Sequence, residues 1–204
     1  MNGNQRVPAV QAHPSEIQEN EILSVIINYV ENNRELLYRN TDLKGGWEGW
    51  LQVELEGVIS HYSSYNAERE RPVFKATGQR IDLWCKHGSE FYSEANPNPG
   101  EYVQRVGVEL KCGGIHQDFI SSDEEGNFQN RMISDIEKIG AGMDSDAIGE
   151  AGARVFAIGV TTEDADLYGF EGVNATGMQV RYWASSQLPN GVSLYVLWWY
   201  QDYQ

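Results

Sequence analysis

Tyr102-Val-Gln-Arg-Val-Gly-Val-Glu-Leu-Lys-Cys112 is the stretch from which the fold can be read. Val106, Val108 and Leu110 alternate with Gly107, Glu109 and Lys111, the period of two expected of a strand with one face in a core. The other face presents Glu109 and Lys111 about 7 Å apart along the strand. Upstream, Arg80-Ile-Asp-Leu-Trp-Cys85 alternates in the same way and carries Asp82 on its polar face. Pairing of these strands would bring two carboxylates and an ammonium onto one patch. Acidic oxygens so placed bind a hard divalent cation, and a lysine beside them orients or activates a water. Such a patch suits metal-assisted hydrolysis of a phosphodiester.

Working outward, the segment before Asp82 reads as two helices. Ser15 with Gln18 has capping-box spacing, and Ile22, Leu23, Ile26, Ile27, Val30 and Leu37 keep one face apolar to about Tyr38. Asn40 to Gly46 is a turn. A second helix, roughly Trp47 to Tyr62, has Trp47, Trp50, Leu51, Leu55, Val58 and Ile59 as its stripe, and Glu54 lies on the Trp47, Trp50, Leu51 and Val58 side. Glu48 and Glu56 are expected to be solvated. Pro72 to Ala76 reads as a short strand, Gln79 to His87 as the strand of Asp82, and Asn96-Pro-Asn-Pro-Gly100 as the tip of a long hairpin. Beyond Gly113-Gly114, residues 115–127 form a polar connection. A helix is expected from Asn127 to about Met143, with Phe128, Met132, Ile133, Ile136 and Ile139 inward. Arg154 to Val160 is a continuous apolar run, as in a strand covered on both faces. Strands near Met178–Ala184 and Val192–Tyr200 flank a hairpin turn at Asn190-Gly191.

The 204 residues predict one domain over 15–204, with a core at about 47–160 and a loose arm at 1–14. No apolar run approaches membrane-spanning length and the N-terminus lacks a signal-peptide pattern, so an intracellular protein, cytoplasmic or nuclear, is expected. A net charge of −15 disfavours broad, nonspecific binding to nucleic acid, which rests on basic side chains against phosphates. It leaves room for a local basic patch or bound cations. If Asp82 faces Glu109, Cys85 and Cys112 fall about six residues out of register, too far apart for a bond; both read as buried thiols. His13, His61, His87 and His116 show no ligand spacing. Trp198-Trp199-Tyr200 reads as strand core, and the Gly pairs at 45–46 and 113–114 as turns.

Glu109-Leu-Lys111 alone says little, since Asp42-Leu-Lys44 has the same form within a Gly-flanked turn. Its context says more: a helix with Glu54, strands with Asp82 and Glu109, then a helix and an apolar strand. That order resembles the PD-(D/E)XK nuclease superfamily, over about Trp47 to Val160. The resemblance implies an α/β (α+β), restriction-endonuclease-like core: a central mixed four-stranded sheet flanked by helices, here with an extra N-terminal helix and a C-terminal β-hairpin. It implies a Mg²⁺- or Mn²⁺-dependent nuclease, with DNA expected ahead of RNA as the substrate. Asp82, Glu109 and the carbonyl of Leu110 would bind metal, and Lys111 would position or activate the water. Glu54, with Glu48 as its rival, would complete the metal shell, and Gln129 or Arg131 would approach the substrate. Ile81 stands where the motif has proline, as in many members.

Other readings accompany this one, among them a toxin-like effector neutralised by a partner, with the same chemistry. Asp82, Glu109 and Lys111 could form a solvated strand face with cross-strand ion pairs. The fold could also serve as a catalytically inactive binding or assembly module, docking through its hydrophobic C-terminal edge to another copy or another protein. No membrane partner is expected.

Overall fold

The computed structural model describes residues 9–41, 47–88, 104–113, 128–150, 152–168, 170 and 179–204. The protein is an α/β structure, and among the described residues seven strands form one mixed sheet, flanked by helices on both faces. The strands are β1 (Val10–Gln11), β2 (Tyr65–Arg71), β3 (Ile81–His87), β4 (Arg105–Cys112), β5 (Ala153–Thr161), β6 (Arg181–Ala184) and β7 (Tyr195–Tyr203). Their order is β1-β6-β7-β5-β4-β3-β2. The helices are α1 (Pro14–Gln18), α2 (Glu21–Asn32), α3 (Arg34–Asn40), α4 (Glu48–Tyr62), α5 (Phe128–Gly140) and α6 (Ser145–Ile148).

The β4 stretch behaves as its alternation requires. Val106, Val108, Leu110 and Cys112 enter a core under α2 and α4, with Leu83 and Cys85 beside them. The second face lies under α5, where Phe128, Met132, Ile136 and Ile139 pack on Val155, Ala157 and Trp199. Strands β3 and β4 are antiparallel with Leu83 opposite Val108, and β4 and β5 run parallel with Glu109 beside Ala157 and Lys111 beside Gly159. Gly159 has a steric role. A Cβ there would stand 2.5 Å from the Phe128 ring, so its absence lets α5 lie close to the sheet over Glu109 and Lys111. Cys85 pairs with Val106, and both cysteines are free and buried.

Several expectations need correction. The expected central sheet had four strands, and the observed sheet has seven. The first strand of the antiparallel meander is Tyr65–Arg71; Pro72 to Ala76 makes only an isolated bridge, Phe74 to Met143. Val73 and Phe74 are buried because they pack beneath α5 and Met143, without a strand partner. The single N-terminal helix is three helices. His13 caps the first in place of Ser15, with Glu16 completing the capping box. Asn20 then accepts from the Leu23 N–H and starts the second. The arm is also less loose than expected at its end, where Val10–Gln11 pairs in parallel with β6. Residues 1–8, the turn at 42–46, the hairpin tip at 89–103 and the connection at 114–127 lie outside the described residues. The C-terminal hairpin forms with Gly191 in its turn (φ 83°), and β7 joins it to β5, so it extends the main sheet.

Candidate active site

The groups of interest sit between the β3–β4–β5 surface, the start of α4 and one side of α5. Carrying the β3–β4 register one residue past Leu83 and Val108 sets Asp82 opposite Glu109. Asp82 Oδ2 accepts from the Leu110 N–H at 2.7 Å, so this carboxylate braces the strand that carries the Glu-x-Lys triplet. Lys111 Nζ lies 3.2 Å from Glu48 Oε1, 3.1 Å from Asp135 Oδ2 and 3.1 Å from the Leu110 carbonyl. Glu48, the first residue of α4, accepts from the Cys112 N–H with its other oxygen at 3.2 Å. Arg131 donates to the Cys112 carbonyl at 2.7 Å and stands 3.7 Å from Glu48. Lys138 Nζ donates to Glu109 Oε1 at 2.8 Å and to the Arg80 carbonyl at 2.6 Å, over the Phe74 ring. Four acids and three bases thus share one largely buried cluster.

Burial and crowding displace the proton affinities. Glu109, only 2 % exposed, is pushed up to about 8, first by burial and then by Asp82 and Asp135; Lys138 pulls it down incompletely. Asp82 is pushed up to about 6, again mainly by burial, against the Leu110 N–H and Lys111. Asp135 is raised by burial despite Lys111. Burial pulls Lys111 down, yet Asp135, Glu48 and Asp82 together outweigh it and hold the ammonium above its ordinary range. Lys111 is therefore a fixed cation at neutral pH. Both thiols are raised by burial, Cys85 to about 12, and stay protonated.

Of the residues singled out in the sequence, Asp82, Glu109, Lys111, Leu110 and Arg131 come together here. Glu54 does not. It accepts from the Tyr29 hydroxyl at 3.2 Å, where α4 meets α2. Glu48, expected to be solvated, supplies the helix carboxylate. The reason is helical phase: the fully buried line of α4 runs through Leu51, Leu55 and Ile59, and Glu48 lies three residues before Leu51 on that line. Gln129 reaches Asp166 at 3.1 Å, next to Thr161 at the end of β5. Asp135 and Lys138 were missed. A signal existed for Asp135, which lies three residues after Met132 and four before Ile139 on the inward face of α5.

Among the described residues, no set of three His, Cys, Asp or Glu side chains is grouped to hold a metal ion, and no helix is long and apolar enough to cross a membrane. No protein-family model, curated protein or solved structure matches the chain.

Proposed function

We propose that the protein is a metal-dependent nuclease of restriction-endonuclease-like fold that hydrolyses phosphodiester bonds of nucleic acid, DNA ahead of RNA. The observation carrying this reading is the convergence of Asp82, Glu109 and a doubly anchored Lys111 beside Glu48. The donor set suits a small hard cation. Asp82 Oδ1 and Glu109 Oε2 accept no hydrogen bond from a described residue. Mg²⁺ is commonly held by one or two carboxylates, with water completing the shell. Asp82, Glu109 and the Leu110 carbonyl would hold it. Bound there, Mg²⁺ or Mn²⁺ would polarise a phosphate oxygen and lower the pKa of a bound water.

The chain's own residues do the rest. Lys111, whose ammonium Asp135, Glu48 and Asp82 hold above its ordinary range, would donate to the attacking water or to the oxygen gaining negative charge. Glu48 and Asp135 fix its ammonium from two sides, so its direction is set before substrate arrives. Arg131, tied to Glu48 and the Cys112 carbonyl, brings a further cation to the cluster for a phosphate.

The test is cleavage of plasmid, single-stranded DNA and RNA in Mg²⁺ and in Mn²⁺, with Lys111→Ala and Asp82→Ala checked for folding by circular dichroism. Metal-dependent cutting should fall by about 10²-fold or more in both variants. Absence of cutting on every substrate, with no metal-induced rise in melting temperature, refutes the enzyme reading. One observation favours a second reading, a non-catalytic binding or assembly module of the same fold: Lys138 already pairs with Glu109. Such a module would gain no stability from either cation, whereas a live site does.

A further inference from the structure

Lys138 lies outside the Glu-x-Lys triplet, yet it forms an ion pair with the triplet's own acid. Its ammonium sits 2.8 Å from Glu109 and 2.6 Å from the Arg80 carbonyl, 4.6 Å from the centre of the Phe74 ring. A carbonyl, a carboxylate and a π-face are the surroundings that a cation seeks. We propose that Lys138 is a tethered cation occupying Glu109, and that a divalent ion must displace it to bind, so Lys138 sets the site's metal affinity. This rests on the metal-binding reading above.

Charge and position support the exchange. Glu48, Asp82, Glu109 and Asp135 against Lys111, Arg131 and Lys138 leave one negative charge when all are ionised. With Lys138 withdrawn the excess is two, which one divalent cation neutralises. The lysine also has another place to go. Its side chain is 20 % exposed, and it lies in the last turn of α5. There the negative end of the helix dipole gives a released ammonium a second resting place. Lys111 has no such freedom, because it is held by Glu48, Asp135 and the Leu110 carbonyl.

The test measures Mn²⁺ binding directly, by calorimetry and by loss of the free-ion electron paramagnetic resonance signal, without substrate. Wild type, Lys138→Met and Lys138→Gln are compared, each checked for folding, with Asp82→Asn as the control expected to lose binding. Both Lys138 variants should bind one Mn²⁺ more tightly than wild type, by roughly 5- to 150-fold if the two cations are coupled as strongly as binding events in proteins usually are. Equal or weaker binding in the variants, with wild type binding, overturns the role of Lys138 and leaves the metal reading standing. No Mn²⁺ binding by any folded variant overturns both. If Lys138→Met fails to fold, Lys138→Gln, which retains a donor toward the Arg80 carbonyl, decides the matter.

Discussion

Replacing Glu109 by Gln should change how stability depends on pH, and the size of the change follows from the site. In the folded protein the Glu109 carboxyl is pushed from its ordinary 4.5 up to about 8, by burial first and by Asp82 and Asp135 next. The folded protein therefore keeps a proton there that the unfolded chain has already released. Its stabilising contribution is complete below pH 4.5 and is lost as pH rises through 8. Linkage over that displacement gives about 5 kcal/mol in all, of which about 3 kcal/mol is lost between roughly pH 5.5 and 8.5. The amide of the Glu109→Gln variant does not titrate, so the variant should gain about 3 kcal/mol on wild type across that window. The assay is urea unfolding in chelator-containing buffer, followed by tryptophan fluorescence, at half-unit pH steps. A difference between variant and wild type that stays flat, or moves the other way, refutes the reasoning. It would mean that the ion pair with Lys138 outweighs burial and the neighbouring acids across the window.

Two further outcomes separate the helix positions that the sequence left as rivals and test the close approach of α5. Glu48→Gln should lower kcat/KM for cleavage by about tenfold or more, because it frees one side of Lys111, whereas Glu54→Gln should stay within about twofold and cost about 1 kcal/mol in stability through its Tyr29 hydrogen bond. Reversal of that order would return Glu54 to the site. Gly159→Ala should destabilise by about 1–3 kcal/mol in the same urea assay, since its methyl meets Phe128 and Met132; an unchanged midpoint would mean that α5 yields freely.

Legibility differed between strands and helices for physical reasons. A strand has only two faces, so alternation in β3 and β4 was enough to put Asp82, Glu109 and Lys111 on one side and both cysteines on the other. Periodicity on α4 was ambiguous because this helix packs in two directions. Leu51, Leu55 and Ile59 meet the sheet side of the core, whereas Trp50 is only partly buried and Glu54 faces Tyr29 of α2. A stripe that wide carries a carboxylate on either edge, and spacing alone does not say which edge meets β4. The edge strand Tyr65–Arg71 escaped notice because it has a single strand neighbour and little to bury. Its Glu68, Arg69, Glu70 and Arg71 give no apolar alternation, which is how an edge avoids pairing with other chains. The breaks in the N-terminal helix lie at Asn20 and Asn33, inside an apolar pattern that continues across them. Joining β7 to β5 is a non-local pairing with no local signature.

The geometry also bears on the blandest account of these residues, a solvated strand face stabilised by cross-strand ion pairs. That account needs opposite charges facing each other in water. Instead the ion pairs run to helices, Lys111 to Glu48 and Asp135 and Lys138 to Glu109, while the β3–β4 register carried one residue past Leu83 and Val108 sets one carboxylate against another. Glu109 is buried rather than solvated, and Asp135 beside it is buried too. Buried charges lose their hydration, and even well-paired ones often contribute less than apolar residues of the same volume would. Core packing therefore gives no reason to place Glu109 and Asp135 between β4 and α5, whose inward face is otherwise apolar through Phe128, Met132, Ile136 and Ile139. Stability explains Lys111 no better, since it is surrounded by more negative charge than one ammonium neutralises. What remains is two acids raised by burial, each with an oxygen that accepts no hydrogen bond from a described residue, beside a lysine whose ammonium is held above its ordinary range. Several titrating groups displaced together at one place are the pattern expected of function rather than of packing.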